Sequence, residues 1–369
     1  MKQEDILAAL RDNRPFAGLA GVRVLSVLDD PRETQTFDVK LLLSSGNATV
    51  EVYGEIKNAC TPKLVQEIAP WLARMKAARP EAAFALICPA LSPESQAICA
   101  EHQIDFIDLV GNVSIAVPGK FVLQRVGLKP KAALRASSYR DPFAGRASRV
   151  LRVLLQRPGE WTLTHIAKEL EEESRRSQLG AWNFAISLGS ISKTLRSLEE
   201  QLLVRRRGSP VVLAEPGRLL LRWAEKYRER YRGYLRGSLT CPNMYGDDLG
   251  AVVRGLRDAA TGSILAFTGA AAAATRAPFG DLDAIEVFAD RPAAARFCST
   301  VPSAPSYHPP LRFLQPYDAG VFMYGQVVGE VPLVSDLQTY LDLYARGGRD
   351  AKQAEFFLEK VILPRWRLP

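Results

Sequence analysis

From Lys129 to Arg149 the chain reads KPKAALRASSYRDPFAGRASR, a run of Lys, Arg, Ser, Ala and Pro with little apolar periodicity. A hydrophobic core cannot be carried through such a segment, so the chain on its two sides is expected to fold separately. The length agrees: 369 residues exceed what one ordinary core supports, and two or three domains are the expectation. Before this run the pattern alternates strands with helices; after it, helices come first and a second strand-containing region follows. The expected architecture is α/β multidomain, with an α/β domain over residues 1–128, a basic linker over 129–145, a helix-rich module over 146–236 and a C-terminal α/β domain over 245–369.

Composition narrows the setting. Apolar residues make up 47% and charged residues 24%, the proportions of a globular protein. No apolar run approaches the ~20 residues of a membrane span, so no membrane partner is expected. The opening MKQEDILAALRDNR is charged and lacks the apolar heart of a signal peptide. Cys60, Cys88, Cys99, Cys241 and Cys298 form an odd, scattered set without a CxxC pair, which argues against zinc and a disulfide framework and for a reducing cytoplasm. Cys88 and Cys99 lie in apolar contexts and are expected to be buried. Charge is segregated. Residues 123–236 hold 24 Lys+Arg against 11 Asp+Glu, a net of +13 in a chain whose total is +8, so the flanks together are mildly acidic. A basic middle between acidic flanks suits one nucleic-acid-binding module with accessory domains.

Within that middle, residues 187–207 read SLGSISKTLRSLEEQLLVRRR. Ile191, Leu195, Leu198 and Leu202 recur at helical spacing, and Ser187 stands where an N-cap belongs. Ser190, Ser192, Lys193, Thr194, Arg196 and Ser197 are expected to form a small, polar, cationic opposite face, suited to a DNA major groove. The following LLVRRRGSPVVLAEPG reads as a strand, a turn and a strand. Upstream, VLRVLLQRP gives one helix and WTLTHIAKELEEE another, capped by Thr162 or Thr164. The order is that of a winged helix-turn-helix, with double-stranded DNA as partner and Ser190, Ser192, Lys193, Arg196, Arg205, Arg206 and Arg207 as contacts. Residues 172–186 form an insertion that could lengthen the turn, add DNA contacts through Arg175 and Arg176, or make a homodimer contact through Trp182 and Phe184. His165 is expected to be structural. The stripe Trp223, Tyr227, Tyr231 and Tyr234 on the next helix is expected in a core or interface.

The first domain reads as helix, three strands, helix (62–75), buried strand (82–90), helix (92–102) and a strand ending at the Gly111-Asn112 turn. Asp108 there is expected to hold a tight corner. Asp38 begins one strand, and Glu55-Ile56-Lys57 ends the next, so Glu55 and Lys57 point to one side. Two carboxylates can hold a divalent cation that acidifies water, and a lysine can stabilise charge on a phosphate. This constellation resembles the PD-(D/E)XK nuclease superfamily over roughly residues 20–115, with Gln66 matching a glutamine found after the motif in some branches and Phe37 standing where the proline usually does. The resemblance implies catalytic Asp38, Glu55 and Lys57, with Mg²⁺ at Asp38 and Glu55, should the site be active. Otherwise no cofactor is expected, and the fold serves binding or scaffolding.

The last third supplies LLLRWAEKY, FTGAAAA and PLVSDLQTYLDLYARGGRDAKQAEFFLEKV. With ALICPALSPESQAICAEHQIDFIDLVGN and the helix-hairpin module, these resemble the antitoxin-type regulators of AbiE (type IV) toxin–antitoxin systems across most of residues 80–365. The resemblance implies an operator-binding autorepressor rather than an enzyme, with an antitoxic C-terminal domain, and leaves open whether a toxin partner is encoded nearby. A weaker pattern, Gly269-Ala270 followed by Asp281-Leu282-Asp283 on an expected strand, echoes nucleotidyltransferases. Ala270 replaces their usual serine, and a third carboxylate is lacking.

Overall fold

The computed structural model describes residues 1–29, 36–129, 141–257, 263–301 and 307–366; most of the expected basic linker therefore lies outside the described residues. The chain is mixed α/β and divides into two compact units, Met1–Arg140 with Glu199–Leu202, and Asp141–Leu198 with Leu203–Pro369. No helix among the described residues is long and apolar enough to cross a membrane.

The first unit runs α1 (Gln3–Arg11), β1 (Val22–Leu28), β2 (Val39–Ser45), β3 (Ala48–Ile56), α2 (Pro62–Ala78), β4 (Ala83–Cys88), α3 (Pro93–Glu101), β5 (Asp105–Asp108), β6 (Val113–Val117) and β7 (Phe121–Arg125). The seven strands lie in chain order in one sheet. β1–β3 form an antiparallel meander, β3, β4 and β5 run parallel, and β6 and β7 return antiparallel. β4 shows why: all six residues are buried, with Ala83, Ala85 and Ile87 in one apolar cluster and Phe84, Leu86 and Cys88 in another. A strand covered on both faces must read as continuous apolar sequence, and AFALIC does. Thr61 and Ser92 accept hydrogen bonds from Leu64 N and Ser95 N, starting α2 and α3. Cys88 and Cys99 are buried, and burial pushes the Cys99 thiol up to about 12. At the corner after β5, Asp108 accepts from Leu91 N, Gly111 N, Asn112 N and Asn112 Nδ2, so this buried carboxylate is fully occupied by structure. Gly111 has φ of 107°, a backbone state that a side chain would strain.

The second unit runs α4 (Ser148–Gln156), β8 (Glu160–Trp161), α5 (Leu163–Arg176), α6 (Leu188–Glu200), β9 (Val204–Arg206), β10 (Val211–Leu213), α7 (Pro216–Arg236), β11 (Leu239–Cys241), α8 (Leu249–Leu256), β12 (Ala266–Thr268), α9 (Gly269–Ala274), β13 (Ile285–Phe288), α10 (Arg291–Thr300), β14 (Leu311–Leu314), β15 (Gln326–Val328), β16 (Val331–Leu333), α11 (Asp336–Arg346) and α12 (Gly348–Phe357). β8, β10 and β9 form a small sheet, and β11-β14-β13-β12-β16-β15 a six-stranded mixed one. The segments expected as separate middle and C-terminal domains share one apolar cluster, which includes Val150, Leu154, Ile191, Leu195 and Trp223 with Leu337, Tyr340, Leu341 and Phe357.

Buried polar groups reinforce that shared core. Arg149 forks onto Asp318 through Nε and one terminal nitrogen, both at 2.8 Å, with both side chains nearly buried. Gln338 of α11 accepts at Oε1 from Arg152 (2.6 Å) and Tyr317 (3.1 Å), while its Nε2 donates to Tyr227 Oη and both Asp342 oxygens. Tyr227 and Thr268 hydroxyls also donate to Asp342. Burial still dominates and raises the Asp342 carboxyl to about 7, against the hydrogen bonds that favour its charge. The folded state therefore holds a proton that the unfolded chain releases near pH 4. The stabilisation from this group is fully present below that point and is lost as pH rises toward 7, no more steeply than about 1.4 kcal/mol per pH unit. Urea unfolding midpoints measured from pH 4 to 8 should show a flatter profile for Asp342→Asn than for the parent chain.

Candidate nucleic-acid interface

α4, α5 and α6 with the β9–β10 hairpin form the strongest candidate surface. Thr162, rather than Thr164, caps α5 by accepting from His165 N. That choice of phase leaves Thr164 and His165 exposed in the first turn, so His165 is a surface residue near the start of the module, which the sequence alone did not reveal. Ser187 Oγ accepts from Ser190 N at 3.3 Å and starts α6 as expected. Ile191, Leu195 and Leu198 are buried. α6 then stops. Leu202 N bonds Glu199 O, Leu203 N bonds Leu198 O, and Leu202 has φ of 58°. This is a Schellman ending with leucine where glycine is usual. Leu202, expected as the last position of the apolar face, is therefore past the helix and in the turn.

The outward face is narrower than expected. Thr194 and Ser197 are only 5% and 3% exposed, on the core side, and Thr194 Oγ1 bonds Ser190 O. Lys193 and Arg196 are exposed and make no ion pair among the described residues, while Ser190 and Ser192 are half-buried. β9 pairs antiparallel with β10, whose other edge takes β8. Arg205, Arg206 and Arg207 are all exposed on the hairpin, and Arg207 reaches Glu160 only loosely, at 3.8 Å. Five cations thus stand on one helix and the hairpin that follows it.

The insertion has an inward role. Phe184 is fully buried, and Trp182 stacks on Phe322 at 4.7 Å, so both belong to this unit's own core rather than to an outer contact. Arg176 is tied to Glu169 at 2.7 Å, with Glu172 and Glu173 nearby, which removes it from a DNA-contacting role; Arg175 is exposed. Trp223, Tyr227 and Tyr231 are buried, as expected of a core stripe.

In the first unit, Asp38 brackets Glu55: its N–H bonds Gly54 O at 3.1 Å, and its carboxylate accepts from Ile56 N at 2.7 Å. Glu55 Oε1 pairs with Lys57 Nζ at 2.6 Å, both partly exposed. The three residues are thus brought to one place at the β2–β3 end. Gln66 is exposed on α2. No group of three or more His, Cys, Asp or Glu side chains among the described residues is placed to hold a metal ion. A cation here would rest on two carboxylates, completing its shell with water and phosphate oxygens.

The C-terminal pattern falls differently from expectation. Asp281 and Asp283 are exposed in the segment before β13, not on a strand. The carboxylate on the strand is Glu286, buried and paired with Arg312 at 3.1 Å and Arg346 at 3.6 Å. Gly269 and Ala270 open the buried helix α9.

No protein-family model matches the chain, and no curated protein or solved structure matches it either.

Removing the Ser187 cap tests how α6 is held. Ser187→Ala should lower unfolding stability by about 1 kcal/mol in chemical denaturation.

Proposed function

We propose that this protein is a DNA-binding transcriptional regulator, an antitoxin-type autorepressor whose second unit grips double-stranded DNA with a winged helix. The observation that carries the reading is the exposure of Lys193, Arg196, Arg205, Arg206 and Arg207 on α6 and the hairpin that follows it, in the most basic part of the chain. α6 would enter the major groove, where Lys193 and Arg196 reach guanine edges or phosphates. The hairpin arginines would hold the backbone or a narrow minor groove. A toxin partner encoded nearby would belong with the antitoxin reading.

The test is titration of a duplex covering the promoter of its own gene, followed by fluorescence anisotropy at several salt concentrations. Arg196→Ala and Arg206→Ala should each weaken binding and make the salt dependence shallower by about one unit of slope for each phosphate no longer neutralised. Binding that is identical in both variants and the parent would sink the reading.

A second reading, a metal-dependent nuclease of PD-(D/E)XK type, is favoured by the bracketing of Glu55 by Asp38 beside Lys57. Mg²⁺ at Asp38 and Glu55 would acidify an attacking water, with Lys57 stabilising charge on the phosphate. Incubating supercoiled plasmid with the protein and Mg²⁺ or Mn²⁺ should then give cleavage that vanishes in Glu55→Ala and Lys57→Ala. Intact plasmid under both metals would leave the regulator reading alone.

A further inference from the structure

All five cysteines are free thiols, and four of them stand in two pairs close enough for their sulfurs to interact. In the first unit, Cys60 and Cys88 meet inside the apolar cluster that α2 and α3 cover, at 7% and 0% exposed. In the second unit, Cys241 ends β11 and Cys298 lies near the end of α10. Cys241 is buried, whereas Cys298 is only half-buried and open to solvent. One pair is sealed; the other has an accessible member.

Local periodicity brings the second pair together. Leu239 and Cys241 are two apart on β11 and share a face, and across the ladder they pair with Phe313 and Leu311 of β14. Ala294, Phe297, Cys298 and Val301 follow one another at helical spacing on and just after α10, so they too share a face. Both sets belong to one apolar cluster. The Phe297 ring meets the Phe313 ring edge-on at 5.5 Å, which seats this turn of α10 over the β11–β14 pair. β11 itself is held weakly: it is a three-residue strand at the edge of its sheet, paired with β14 alone among the described residues. The thiols also differ in reactivity. Burial first, and then the neighbouring Cys298 thiol, push Cys241 well above its ordinary value and keep it protonated. Attack on an oxidant needs a thiolate that the oxidant can reach, and of the two only Cys298 is accessible.

We propose that Cys241 and Cys298 form a reversible disulfide when the protein meets a hydroperoxide, fastening the edge strand β11 to α10. The Cys298 sulfur attacks the outer oxygen of the hydroperoxide, the O–O bond breaks, and an alcohol (water, for hydrogen peroxide) leaves as Cys298 becomes a sulfenic acid. The Cys241 sulfur then attacks the Cys298 sulfur, the S–O bond breaks, and the hydroxide departs with the Cys241 proton as water. Two thiols lose two electrons, one hydroperoxide gains them, and a dithiol restores the starting state. Cys60 and Cys88 offer the same two sulfurs without an accessible one, so they stay reduced. A bridge of this kind suits a reducing compartment, where disulfides are transient and respond to oxidant.

The experiment treats the full chain with hydrogen peroxide, alkylates the remaining thiols after unfolding, and maps the peptides by mass spectrometry with and without reduction. A linked Cys241–Cys298 peptide pair should appear, lighter by two hydrogens than the separate thiols, and dithiothreitol should abolish it. Cys60, Cys88 and Cys99 should all be alkylated. In Cys241→Ser the Cys298 sulfenic acid, left without a partner, should be trapped by dimedone; in Cys298→Ser, Cys241 should remain a free thiol; Cys60→Ser should still form the bridge. Because the bridge closes a long loop, the oxidised parent should unfold about 5 °C above the reduced one, and peroxide should not shift Cys241→Ser in this way. The proposal is overturned if peroxide leaves Cys241 free while Cys298 proceeds to sulfinic acid, if Cys298 links two copies of the chain instead, if Cys60 and Cys88 are the pair that closes, or if no thiol reacts.

Discussion

Gln338 is the joint on which the second unit turns. Its amide has two different ends with different partners. The oxygen receives Arg152 and Tyr317, and the nitrogen reaches Tyr227 and Asp342. Reversed, the amide would set NH₂ groups against a guanidinium and an oxygen against a carboxyl, so only one orientation is stable. Through it α4 and α7, which flank α6 and the hairpin, are tied to α11. Buried networks of this kind contribute little net stability but penalise every alternative packing, because each group is costly to leave unmatched. The Arg149–Asp318 fork works in the same direction from the other end of α4. The cationic surface is therefore carried on a base whose geometry is set by hydrogen bonding as well as by apolar contact.

The first unit relies on a different device. Its sheet is buried on both faces at β4 and wound by parallel crossovers at α2 and α3, and its interior carboxylates are absorbed by main-chain donors. Asp108 serves the corner, while Asp105 takes Phe84 N, Ala116 N and Lys76. Asp38 is unlike these. It is only partly buried, its carboxylate binds a single main-chain N–H among the described residues, and it stands beside a partly exposed acid–lysine pair. That contrast, between carboxylates used up by the fold and one left near the surface, is what keeps chemistry at the β2–β3 end in contention.

Much of this was legible in the residues. β4 is visible as an apolar run, and Ser187, Thr61 and Ser92 mark helix starts by local chemistry that needs no tertiary knowledge. What escaped was settled by distant partners. Arg149 and Asp318 are 169 positions apart, and Arg152 and Gln338 are 186 apart, so nothing local marks them as a core. Thr194 and Ser197 look like surface residues by type, yet they fall on the inward side of α6, where small hydroxyls fit close packing. The insertion left several roles open because nothing local says what Trp182 packs against; its stacking partner, Phe322, lies 140 positions further along the chain. At the candidate site the exposed cations were found by type alone, since Lys and Arg seldom bury without partners.

With Thr194 and Ser197 turned inward, the outer stripe of α6 is narrow: two long side chains, Lys193 and Arg196, with small residues between them. On the DNA-binding reading this limits information as well as affinity. Two such side chains can distinguish about two base pairs, or about four bits. Singling out one place among a million or more competing sites takes on the order of 20 bits. The difference must come from duplex shape felt by the hairpin arginines and from a second copy set at a fixed distance along the helix. On that reading, one copy of this surface would find DNA, and an address would take two.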